Sequence, residues 1–134
     1  MKDYIFKERI RGFADLCEKK KIKYKLVLHE DLEYISPQML KNSDGAALLS
    51  EQLAPLFFHL LKTYGLKVPD NIRLISADGT SFCEDFIPKI STADHPFRRI
   101  ALNCYSGLTK MIAESNTEFA FIKLKPTVTY RDTL

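Results

Sequence analysis

The stretch Gly65–Thr80, GLKVPDNIRLISADGT, decides the reading of the fold. Gly65 suits the left-handed position that ends a helix, and Pro69 both resists helix and biases Val68 toward an extended backbone. Beyond the proline, Ile72–Ala77 is a short apolar run that suits a buried strand, and it delivers the carboxylate of Asp78 at its end. In an open α/β sheet the carboxyl ends of the strands line the crevice where ligands bind. Asp78 is therefore a candidate binding residue. Its competing role is to cap the next turn through local backbone N–H groups.

Upstream of this stretch, Leu53, Leu56, Phe57, Leu60 and Leu61 form the broad apolar face of a helix, which Gly65 closes. Ser50 is placed to cap its start, at the end of a strand predicted over Ala46–Leu49. Further back, Ser36-Pro37 supplies an N-cap and a proline at the first helical position of a short helix, ended by the turn formers Asn42 to Gly45. Tyr24–His29 (YKLVLH) reads as one more buried strand. Residues 4–20 carry Ile5, Phe6, Ile10, Phe13 and Leu16 or Cys17 at the spacing of one helical stripe. Three strands alternating with helices predict a parallel sheet with right-handed crossovers.

Downstream the pattern loosens. Gly79–Phe86 mixes turn formers with isolated aromatics, and Ile90–Ala93 reads as a short extended piece within a loop. From Phe97 the positions Ile100, Ala101, Cys104, Leu108, Met111 and Ile112 fit a helix, although its interior Gly107 weakens it by about 1 kcal/mol relative to alanine. The tail FAFIKLKPTVTYRDTL has two β-rich stretches broken at Pro126.

With 134 residues, 46% hydrophobic and 28% charged, the chain fits one globular domain with a core of its own. Its net charge of +3 is too small for a nucleic-acid footprint. The densest basic run, Lys19, Lys20, Lys21, Lys23 and Lys25, falls where a helix C-terminus welcomes cations. Three cysteines without metal-ligand spacing fit a reducing, cytoplasmic compartment, and neither a signal peptide nor a membrane span is evident. No glycine-rich phosphate loop, paired-histidine motif, Cys-x-x-Cys or nucleophile elbow is present, so neither catalysis nor a metal or cofactor is expected. His29, His59 and His95 are far apart; His29 could face the crevice or be solvated, and His59 falls on a helix surface. Arg9, within the first helix, fits a surface salt bridge or a ligand contact.

Taken together, Arg9-x-x-Gly12-Phe13, the run LLSEQLAPLFFHLLKTYGLKVPDNIRLISADG, then IPKISTADHPFRRIA and the terminal PTVTYRDTL follow one another at the intervals of the lactose-repressor (LacI/GalR) family, which the chain resembles over essentially its whole length. Ser50 to Thr92 carries the most specific part. The resemblance implies an α/β, Rossmann-like parallel-sheet subdomain of the periplasmic-binding-protein-like (type I) fold, with helices on both faces. It also implies the C-terminal half of an effector-binding domain, in which residues 1–93 and 118–134 form the C-terminal subdomain and 94–117 cross to a subdomain not contained here. Arg9 matches the effector-contacting arginine and Asp78 the aspartate for effector hydroxyls or amines. Ser50 stands where many members have asparagine, and Tyr34 occupies the place of an aromatic that covers the ligand.

Departures are Ser50-Glu51 for Asn-Asp, Ser76-Ala77-Asp78-Gly79 for Gly-Phe-Asp-Asp, Pro88-Lys89 for Pro-Pro, and Ala101 for a glycine. The expectation is the effector-binding and dimerisation portion of a transcription regulator that senses a small sugar-like or nucleobase-like ligand. It would touch DNA only through a helix-turn-helix absent from these residues. The alternative is a sugar-binding protein of the same fold without regulatory output.

Overall fold

A computed structural model describes residues 4–114 and 121–134. Four strands form one sheet in the order β1-β2-β3-β4: β1 Gly45–Leu48, β2 Arg73–Asp78, β3 Ser91–Asp94 and β4 Thr127–Thr129. The first three run parallel, with Leu48 opposite Ser76 and Asp78 opposite Asp94, and β4 closes the edge antiparallel to β3. The helices are α1 Tyr4–Lys19, α2 Pro37–Lys41, α3 Ala54–Thr63 and α4 Phe97–Glu114. Mixed α/β architecture with a mainly parallel sheet agrees with the sequence reading.

Local signals act where expected. Ser36 Oγ accepts from Met39 N at the start of α2, and Pro37 is its first residue. Gly65 has φ +65 just after α3, while Leu66 N returns to Leu61 O at 2.9 Å, which closes the helix C-terminus. The core gathers α2, α3 and the inward side of β2: Ala54, Phe57, Leu61, Ile72, Leu74, Cys83 and Ile90 are all buried. Along β2, Leu74 and Ser76 are buried while Ile75 and Ala77 are only partly covered. One face of β2 is thus packed against the core.

Two strand assignments change. Tyr24–His29 forms no strand: residues 22–28 have no regular structure and His29–Tyr34 is a 3-10 turn. Only Val27 of this run packs against the core, while Tyr24, Leu26 and Leu28 are exposed. An apolar run becomes a strand only when a neighbour accepts its ladder hydrogen bonds, and none does here. The third parallel strand is instead β3, which the sequence pattern presents as only a short extended piece. Composition hides it, because Ser91 and Thr92 are polar yet fully buried.

Their partners explain that burial. Ser91 N donates to Thr133 Oγ1 at 2.8 Å and Ser91 Oγ accepts from Arg131 N at 2.8 Å. The Arg131 guanidinium donates to Ile90 O (2.9 Å) and Thr92 Oγ1 (2.7 Å), and Thr133 Oγ1 donates to Leu74 O at 2.8 Å. The C-terminal TYRDT segment is therefore bound into the sheet by side chains as well as by β4. The first β-rich part of the tail is different: Phe119 and Ala120 lie outside the described residues, and residues 121–126 have no regular structure. The boundary expected near residue 118 also lies outside them.

Candidate functional site

The sequence VPDNIRLISADG builds the centre of the site. β2 carries the chain to Asp78, where φ turns to +84, and Gly79 follows at +71. Aspartate tolerates this region better than most residues, and held there it marks a place where the surroundings impose the conformation. Gly79 is required: an added Cβ would run into the Asp94 carboxylate and lie 2.8 Å from Asp94 Cα. The double left-handed step sends the Asp78 side chain back across the strand ends.

There it meets Arg9 of α1. Arg9 Nη2 donates to Asp78 Oδ1 at 2.5 Å and Arg9 Nη1 donates to Leu49 O at 2.6 Å, just beyond the end of β1. Both charged side chains are only 21% exposed, so the bond is charge-assisted and partly withdrawn from water. The capping alternative for Asp78 fails, since the next turn is capped by Thr80 Oγ1, which accepts from Phe82 N at 3.3 Å.

A third polar group joins them. The parallel register of Asp78 with Asp94 puts the residue after Asp94 beside the end of β2. That residue is His95, whose backbone N donates to Asp78 O at 3.2 Å. Its Nε2 lies 2.9 Å from Arg9 Nη2 and 3.4 Å from Asp78 Oδ1. Sequence reading assigned His95 no role. The signal was present: Asp94-His95 ends an extended segment just as Asp78 does. Two partly exposed rings flank the cluster, Phe6 with its centroid 5.7 Å from Arg9 Cζ and Phe97 edge-on to His95 at 5.6 Å.

Ser50 and Tyr34 do not enter the cluster. Ser50 is buried and its Oγ accepts from Gln52 N at 3.4 Å, the capping role its position suggests. Tyr34 ends the 3-10 turn, is 75% exposed, and borders a shallow hollow with Lys25, Val27, Asp31 and Met39. Neither hydrogen-bonds Arg9, Asp78 or His95. His59 is exposed on α3, as read, and His29 opens a 3-10 turn rather than ending a strand.

Behind the cluster, sequence reading noted Glu51 only as a departure. Its buried carboxylate accepts from Thr80 Oγ1 (2.5 Å), Thr80 N (3.1 Å) and Cys83 Sγ (3.4 Å). One side chain thus ties the segment after β1 to the loop after β2, two residues beyond Asp78. Burial, followed by the hydrogen bond to Glu51, pushes the Cys83 thiol up to about 12. It stays protonated and unreactive at neutral pH. Among the described residues no group of His, Cys, Asp and Glu side chains has the arrangement of a metal site. Among the described residues, no helix is long and apolar enough to cross a membrane.

Residues 2–134 match the model of the periplasmic binding protein-like domain. The HTH-type transcriptional repressor PurR of Vibrio campbellii is 32% identical over 96 residues, 72% of this chain and 29% of that protein. Among solved structures, a probable maltose operon transcriptional repressor from Staphylococcus aureus superposes with a TM-score of 0.82 at 15% identity, covering 99% of this chain and 50% of that one. A LacI family regulator from Arthrobacter, in complex with lactose, gives 0.78 at 18% identity, covering 92% and 50%. The chain spans under a third of the curated relative and about half of each of these solved chains. It belongs to the periplasmic-binding-protein-like domain family, in the form of the LacI/GalR-type effector-binding domain.

Proposed function

We propose that this chain is the C-terminal half of the effector-binding domain of a cytoplasmic LacI/GalR-type transcription regulator, and that its effector is held between Arg9 and Asp78. The observation that carries the reading is the Arg9–Asp78 pair at the carboxyl ends of β1 and β2. Arg9 offers only donors and an ionised Asp78 only acceptors. A group that both donates and accepts, such as a sugar hydroxyl or a nucleobase edge, satisfies both. A free cation is repelled by Arg9 and a free anion by Asp78. Phe6 and Phe97 supply apolar surface beside these polar groups, the composition expected of a small-ligand site.

In this reading residues 1–93 and 118–134 form the C-terminal subdomain, and 94–117 cross to a partner subdomain that supplies the second wall. The absence of any buried residue along α4 supports that division. Closure of the two walls favours one arrangement, and the effector shifts the population toward it. The domain also carries self-association, and DNA is read by a helix-turn-helix outside these residues. The name of the PurR relative favours a regulator over a sugar-binding protein without regulatory output.

The test is Arg9→Ala and Asp78→Ala in the full-length regulator. Each removes charge-assisted hydrogen bonds worth roughly 1.5–3 kcal/mol, so each should abolish the effector-dependent change in operator binding while the circular dichroism spectrum is kept. Unaltered effector response in both variants would end the proposal. Residues 1–134 alone should give no sequence-specific gel shift.

A further inference from the structure

Arginine presents donors only, so the imidazole nitrogen 2.9 Å from Arg9 Nη2 must accept. That contact is a hydrogen bond only for the neutral ring, with its proton on Nδ1 and the Nε2 lone pair facing the guanidinium. The same Nε2 is 3.4 Å from Asp78 Oδ1, the oxygen that Arg9 Nη2 already occupies. One nitrogen thus stands between a cation that needs an acceptor and an anion that needs a donor. Histidine is the side chain that changes from one to the other in the physiological pH range.

We propose that His95 is a proton-controlled holder of Arg9. Neutral His95 fixes Nη2 from one side while Asp78 fixes it from the other, so the guanidinium is preset for the ligand. A proton on Nε2 turns that acceptor into a donor. Nε2 then leaves Arg9 and pairs with Asp78, and two cations compete for one carboxylate oxygen. Arg9 keeps Leu49 O through Nη1 but loses its fixed orientation.

The groups around the ring support a local switch. Arg9 faces it from α1 and Asp78 from β2. On its own segment Asp94 is taken up by the hydroxyls of Thr92 and Thr129, and Phe97 packs against the ring without charge. His95 is 38% exposed, so protons reach it without unfolding. The inference rests on the reading of Arg9 and Asp78 as the effector grip. Its test needs no effector, so its failure leaves that reading standing.

The experiment is nitrogen-15 NMR of the histidine rings and of the Arg9 guanidinium in this chain, from about pH 8 to about pH 5, the range in which histidine titrates. His95→Gln assigns the His95 signal by difference, with the exposed His29 and His59 as internal references. At the upper end His95 should show the Nδ1–H form, against the solvent mixture of tautomers at the other two. As His95 gains its proton, the Arg9 signal should move with the same midpoint. In His95→Gln the amide oxygen keeps an acceptor for Arg9 without titrating, so the Arg9 signal should stay fixed over the range. An Nε2–H form at the upper end, or an Arg9 signal indifferent to the His95 titration, overturns the proposal.

Discussion

Helices α3 and α4 have the same kind of pattern and opposite fates. α3 is ten residues long and buries Ala54, Phe57 and Leu61, whereas α4 is eighteen residues long and buries none. Along α4, Phe97, Leu102, Tyr105, Leu108 and Ile112 are all about half exposed or more. α1 resembles α4: only Cys17 is buried, and Ile5, Phe6 and Leu16 lie open. Period tells which residues share a face. It does not tell what covers that face.

The largest effect should therefore come from truncating α3. Leu61→Ala removes a side chain that is 2% exposed from the centre of the core, and should cost about 2–5 kcal/mol in urea unfolding. The matching Leu108→Ala in α4 should stay within about 0.5 kcal/mol. Similar losses in both would mean that α4 is packed within this chain after all.

Thiol chemistry sharpens the same contrast. Cys83 is fully buried beside the core and Cys104 is exposed on α4. Iodoacetamide should modify Cys104 readily at neutral pH and leave Cys83 protected until the chain unfolds, as read by mass spectrometry. The Cys83 thiol is raised from its ordinary 9.0 to about 12, so the folded state holds a proton that the unfolded state releases earlier. The stability this contributes is fully present below about pH 9 and is lost as pH rises toward 12. Unfolding midpoints across that alkaline window should fall; a flat profile would contradict the assignment.

Association comes next in size. The open α1 and α4 faces should drive self-association at micromolar concentration. Leu108→Glu, which sets a charge on the α4 face, should weaken it about tenfold in sedimentation, the cost of one uncompensated charge in such a contact. A clean monomer before mutation would sink this expectation. The smallest effect is a change of sign between glycines. At Gly107 an added Cβ meets nothing within 4 Å, so Gly107→Ala should stabilise by about 0.5–1 kcal/mol. Gly65, held at φ +65 at the end of α3, should lose about as much on the same change.

Much of this is legible in the chain. The Ser36 cap, the Gly65 stop and the limits of α1 and α4 depend on neighbours within a few residues, so local spacing suffices to read them. Arg9 and Asp78 stand out in the sequence as candidate binding residues, one from the family resemblance and the other from the end of a strand, and the fold pairs them. Tyr24–His29 misleads because its apolar character promises a ladder that no neighbour supplies. β3 is hard to see because its burial relies on Arg131 and Thr133, about forty residues away. Hydroxyl groups become core residues only when distant partners satisfy them.

The sequence by itself determined the helices, the caps and the family pattern, since each is written in local spacing and in the order of motifs. Tertiary structure alone decided which carboxylate meets which cation. Arg9, Asp78 and His95 are separated by up to 86 positions and meet because parallel pairing aligns Asp78 with Asp94 while α1 carries Arg9 to the same strand ends. A hydrogen bond depends on angstroms between atoms, and only the folded backbone sets those.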